Sequence, residues 1–170
     1  MAKMNPDIFV KTFLPYAKQT EDKTGIDARF ILAQAALETG WGASAPGNMF
    51  FGVKANPKTT PEAQRQLVTT KEILSKPDAV FPKVISVTPM SNGKYLYVVK
   101  DWFRKYDSPE ESFTDHADFF FRNKRYAKAL DVKNDPYKFA EEIARAGYAT
   151  APGYDKVLKS VIKTIEKQII

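Results

Sequence analysis

Cysteine is absent from this chain of 170 residues, and histidine occurs once. Without thiols there are no disulfides, no cysteine nucleophile and no zinc site of the Cys type. The single imidazole, His116, argues against a His-based metal centre or a Ser-His-Asp triad. It lies in a helical FTDHADFFF run, where a half-buried structural role is expected. Long apolar runs are missing too: nothing approaches the roughly 18 residues of a membrane span. The first residues, MAKMNPDIFVKTF, lack the apolar h-region and small-residue cleavage site of a secretory signal. Work outside the cytoplasm would therefore need release by lysis, carriage on a virion, a dedicated export route or a longer parent chain. Repeats and low-complexity tracts are also lacking, so residues 1–170 are expected to form one domain able to bury its own core. Acidic residues are the minority, with 26 Lys and Arg against 20 Asp and Glu, a net charge of +6 and a pI near 9.3. That excess favours polyanionic partners such as nucleic acid, anionic membrane or wall polymers, without choosing among them.

What the chain does have is an almost uncharged helical run with one acid at its end. Residues 30–54 read FILAQAALETGWGASAPGNMFFGVK. From Ile31 to Leu37 only Gln34 is polar, so this helix has little outward face and is expected inside the domain. Glu38 is thereby carried into a partly dry place. Burial there disfavours the carboxylate and keeps an acid protonated near neutral pH, as a proton donor requires. The plainer reading is a helix-end Glu turned to solvent. Gly40, Trp41 and Gly42 favour the chemical one, because glycines let backbone approach a ligand and Trp offers a flat apolar face.

In chain order, Asn5-Pro6 opens a first helix that Pro15 is expected to kink or shorten. Gly25 ends this region, and Asp27 caps the helix that carries Glu38. After Lys54 the texture changes to short runs with strand character, from Gln66 to Leu74, Val80 to Thr88 and Lys94 to Phe103. The turn from Met90 to Gly93 ends in Asn-Gly, a strong hairpin signal. These runs predict a small antiparallel β-lobe over about residues 56–104, which cannot stand alone and should lean on the helices. Ser108-Pro109-Glu110-Glu111 is a capping box, followed by a helix with Phe113, Ala117, Phe120 and Phe121 inward and Phe119 in the core. Asp135-Pro136 opens another helix, which Gly147 closes. A last amphipathic helix turns Tyr154, Val157, Leu158, Val161, Ile162 and Ile165 inward. The predicted fold class is α+β, mostly helical, with Glu38 on the helical wall of a cleft beside the β-lobe.

With thiol, metal and triad chemistry set aside, carboxylate chemistry remains. Glycoside hydrolysis commonly uses a protonated acid for the leaving oxygen and a second group to activate water or stabilise the cation. Aromatic platforms that stack on sugars fit the same picture. Four segments occur in order: LAQAALETGWG, GNMFFGVKA, FRKYDSPEESFTDHADFF and ARAGYATAPGYDKVL. Together they resemble the bacterial peptidoglycan β-N-acetylglucosaminidases of glycoside hydrolase family 73, which include the hydrolase domain of the flagellar rod-cap protein, autolysins and phage endolysins.

That resemblance implies a lysozyme-like α+β fold and a general acid at Glu38, the Glu of the ALExGWG motif. It implies a second acid in the β-lobe, where Thr70-Lys71-Glu72 matches the family's Thr-x-Glu strand and makes Glu72 the candidate base. Asp78 and Asp101 are the fallbacks, and the substrate's own acetamido group is the alternative to a base. Tyr148 matches a tyrosine near the catalytic Glu, and Trp41, Asn48, Phe51 and Gly52 match sugar-binding or cleft-lining positions. Met49 stands where the family usually has a second asparagine, while Tyr106 and Asp107 are family-like but expected to be structural. The implied activity is cleavage of the β-1,4 bond between N-acetylglucosamine and N-acetylmuramic acid in the wall, by a monomer with no cofactor or metal, no nucleic-acid partner and no membrane insertion. The alternatives are a muramidase or lytic transglycosylase of related fold, and a wall-binding module without activity.

Overall fold

The computed structural model describes residues 2–170. They divide into two compact units, one made of the chain up to Phe51 and from Asp107 onward, the other of Gly52–Tyr106.

The first unit is helical: α1 Pro6–Thr24, α2 Ala28–Thr39, α3 Pro109–Arg122, α4 Ala127–Leu130, α5 Pro136–Arg145 and α6 Tyr154–Ile169. Local chemistry sets most of the ends. Asp27 accepts from the Arg29 N–H, Ser108 from the Glu111 N–H, and Asp135 from those of Tyr137 and Lys138, each satisfying donors that the first helical turn leaves unpaired. The expected capping box is modified, since the Glu111 carboxylate accepts from Asp107 N. Gly25 ends α1 at φ 79°, a left-handed conformation that costs glycine little, with its N–H on Glu21 O.

α2 is apolar nearly all round and buried accordingly. Phe30, Leu32, Ala33, Ala35 and Ala36 are sealed from solvent, as a helix without an outward face should be. Around it, edge-to-face ring pairs knit the core, including Phe30 with Phe139 at 4.6 Å and Phe50 with Phe113 at 4.9 Å between centroids. Three expectations fail here. α1 is not shortened at Pro15 but continues to Thr24; the carbonyl left without a donor belongs to exposed Lys11, where water can replace the bond. Phe121 and Val157, both expected inward, are 45% and 49% exposed.

The second unit is a three-stranded antiparallel sheet of β1 Arg65–Leu74, β2 Lys83–Pro89 and β3 Tyr95–Arg104, in the order β1-β3-β2. β2 and β3 are joined by the Asn-Gly turn, with Gly93 at φ 80° and Met90 N bonded to Lys94 O. β2 begins later than its pattern predicts, because Val80 lies outside the sheet and is 93% exposed. A bulge between Val84 and Ser86 shifts its register. Residues 53–55 add bonds along the far end of β3, from Ala55 N to Trp102 O and from Arg104 N to Val53 O. Tyr97 in the central strand is fully buried and anchors the β1–β2 connection, its hydroxyl donating to Lys76 O and accepting from Ala79 N.

Candidate active site

Glu38 occupies the last turn of α2, and Gly40 follows it in the left-handed region at φ 60°. The tight Gly40–Gly42 turn is held by Trp41 N on Ala36 O and Gly42 N on the Thr39 hydroxyl. Trp41 itself takes a positive φ of 56°, a strained conformation for a bulky residue. Its ring meets Phe9 edge-on at 5.4 Å and stays partly exposed. The Glu38 side chain is accessible, yet the protein around it raises its carboxyl above the ordinary glutamate range through desolvation. Access and a penalty on charge coexist because a side chain can meet water at its tip while protein displaces solvent on its other sides.

One helical turn earlier, Gln34 points the same way at the i, i+4 spacing. It is completely buried. Its amide N donates to Tyr154 Oη at 3.1 Å, and its carbonyl lies 2.8 Å from His116 Nε2. Since that carbonyl can only accept, Nε2 carries the proton. The same nitrogen lies 3.3 Å from Tyr148 Oη. Burial pushes the His116 pKa down to about 3, so the imidazole is neutral under ordinary conditions. Phe51 stacks on it at 3.8 Å with 11° between the rings.

Tyr148 and Tyr154 stack at 5.6 Å, and both feel the charge of Glu38. Burial is the main cause of the rise in both phenols, Tyr154 to about 12 and Tyr148 further still, with Glu38 adding to each. Neither ionises at neutral pH, so each is available as a neutral hydrogen-bond donor.

The structure thus brings Glu38, Tyr148 and Phe51 into one neighbourhood of the helical unit, through Gln34 and His116. Asn48 sits in a short 3-10 turn at φ 57°, followed by buried Met49 and Phe50. In the β unit, Glu72 is half-buried and accepts from Lys54 Nζ at 2.9 Å, while Asp101 lies 3.2 Å from the same ammonium. Asp78 is exposed, and Gly52 has φ 54° with open space where a Cβ would be. Sequence reasoning did not assign Gln34 or Tyr154 to the site. The legible signal was Gln34 itself, the one polar residue in an apolar helix and four residues from the acid. A hollow of about 480 Å³ between the end of α5 and the start of α6, lined by Arg145, Thr150 and Tyr154 among others, contains none of the predicted site residues.

Residues 14–167 match the glucosaminidase family, described as mannosyl-glycoprotein endo-beta-N-acetylglucosaminidase. The chain belongs to the glucosaminidase family. The chain is 34% identical to the peptidoglycan hydrolase FlgJ of Pseudomonas aeruginosa over 94% of its own length and 37% of the relative's. It is 30% identical to an autolysin of Enterococcus faecalis over 93% of its length and 20% of that protein's. The chain thus spans well under half the length of these relatives. Among solved structures, the glycoside hydrolase domain of Salmonella typhimurium FlgJ matches 98% of this chain and 91% of its own, at a TM-score of 0.70 and 28% identity. The α+β, lysozyme-like expectation and the resemblance to glycoside hydrolase family 73 both hold. No helix among the described residues is long and apolar enough to cross a membrane.

Proposed function

We propose that this chain is a peptidoglycan hydrolase that cleaves the β-1,4 bond between N-acetylglucosamine and N-acetylmuramic acid, with Glu38 as general acid. The observation that carries the reading is the state of Glu38: accessible, yet biased by its surroundings toward the protonated form and set beside two neutral phenols. Such an acid can pass its proton to the leaving oxygen at a pH where an ordinary glutamate is ionised. The membership of residues 14–167 in the family supports it independently.

Two groups are candidates to complete the reaction. Glu72 would activate water as general base, after sharing or releasing its contact with Lys54. Otherwise the acetamido group of the substrate would assist, oriented by a hydrogen bond from Tyr148. Trp41, Asn48, Phe51 and Gly52 would line the sugar-binding surface. The whole chain would act as one glucosaminidase domain and as a monomer, on the bacterial wall in the periplasm or outside the cell.

The test is product analysis of digested walls. Borohydride reduction should yield reduced glucosamine ends; reduced muramic ends or anhydro-muramic products would make the chain a muramidase or lytic transglycosylase. Glu38→Gln should lower turnover about a hundredfold to ten-thousandfold while the protein still sediments with walls. Undiminished lysis by that variant would remove Glu38 from the chemistry.

A further inference from the structure

The excess positive charge of the chain belongs to one of its two units. Gly52–Tyr106 holds ten Lys and Arg against four Asp and Glu, while the rest of the chain holds sixteen of each. Within the sheet the charges are sorted by face. Strand residues alternate sides, and directly opposed residues of antiparallel neighbours share a side. The pairs Arg65 with Arg104, Leu67 with Trp102, Thr69 with Lys100, Lys71 with Val98, and Lys83 with Lys100 define one face. It carries Arg65, Lys71, Lys83, Lys100 and Arg104, every cation of the three strands. Glu72 and Asp101, the only acids of the strands, lie on the opposite face, together with Lys54. The cationic face is the more open one: Leu67 and Ile73 on it are 46% and 55% exposed, whereas Tyr97, Val99 and Phe103 on the other are buried.

Two of its cross-strand pairs join like charges, Arg65 with Arg104 and Lys83 with Lys100. Such pairs destabilise a sheet unless an anion lies across them. The Arg65 guanidinium donates from Nη1 to Thr60 O, and that of Arg104 packs over the Tyr106 ring at 5.3 Å. Arg65 stacks over Trp102 at 5.0 Å, which holds its fork in a fixed plane. The cations spread over three strands about 4.8 Å apart and, from Val98 opposite Lys71 to Arg104, along about 20 Å of β3, too wide for one small ion and suited to a polymer with charges at intervals.

We infer that this face of the β-sheet docks the carboxylate-bearing peptide branches of peptidoglycan. The inference rests on the hydrolase reading, which supplies a substrate whose glycan is peptide-substituted and whose peptides carry the negative charge. Lys71, Lys83, Lys100 and the two guanidinium groups meet the carboxylates, while Leu96, Val98 and Trp102 between them meet the aliphatic parts of the branches.

The experiment is sedimentation with purified sacculi freed of secondary polymers, in a Glu38→Gln background so that the walls stay intact. The triple variant Lys71→Gln, Lys83→Gln, Lys100→Gln should bind about tenfold more weakly, with a shallower salt dependence. The corresponding triple Arg variant should bind as the background protein does, which separates charge from side-chain shape. Sacculi with their carboxylates amidated should hold the background protein as weakly as untreated sacculi hold the Gln variant. Equal binding of the Gln variant, or undiminished binding to amidated sacculi, would overturn the inference. So would tighter retention on duplex DNA than on sacculi at equal ionic strength, which would assign the face to nucleic acid. Whether Glu38 is the acid is read separately, from wall turbidity and reduced ends.

Discussion

A carboxyl whose pKa is raised on folding leaves a signature in stability as well as in rate. For Glu38 the folded pKa lies above the unfolded one, so the folded state binds the extra proton between the two values. Stability is therefore lost as pH rises through that window. Glu38→Gln, which cannot ionise, should melt higher than the parent at pH 7 and no higher at about pH 3, below the ordinary carboxyl range. The alkaline limb of the activity profile should fall above the ordinary glutamate range; a limb near pH 4 would mean that desolvation does not govern the acid. His116 obeys the opposite sign. Its folded pKa of about 3 lies below the usual imidazole value, so the unfolded chain binds more protons as pH falls through that interval and stability drops with it. His116→Gln should cost about 1 kcal/mol at pH 7 through the lost ring stack, and the difference should narrow toward pH 4 in melting curves. Tyr148→Phe keeps the ring stack on Tyr154 and removes only the hydroxyl. If that hydroxyl orients the acetamido group, kcat should fall about a hundredfold with KM little changed.

Among the elements, helix ends were the most legible because their chemistry is local. Asp27, Ser108 and Asp135 each bond backbone N–H groups within three residues, so sequence alone locates them. Asp135→Ala should cost about 1 kcal/mol in denaturant unfolding, since two N–H groups of α5 rely on that carboxylate. Faces were less legible. Periodicity places Phe121 and Val157 on inward arcs, but a stripe predicted from spacing is wider than the surface a neighbouring helix covers, and both lie at its edge. Pro15 was misread for a related reason: the rule against proline within a helix counts a lost hydrogen bond, which costs less where the freed carbonyl belongs to an exposed residue.

At the scale of the whole molecule, charge is partitioned between a neutral helical unit and a β unit carrying the full excess of +6. Binding to anionic walls should therefore weaken steeply as the screening length falls from about 30 Å at 0.01 M salt to about 10 Å at 0.1 M. The melting temperature should move little over the same range, because exposed ion pairs contribute little to stability. Binding that ignores salt would contradict an electrostatic role for the sheet. The sequence by itself determined the apolar α2 with its terminal acid, the helix caps, the hairpin and the family motifs, since each is written in residues within a few positions of one another. The tertiary structure alone decided that Gln34 joins His116, Tyr148 and Tyr154 behind Glu38, because those partners come from segments 82 and 120 residues away. It also decided that every strand cation shares one face, because that depends on register, and a slip of one residue would have turned each side chain to the other side.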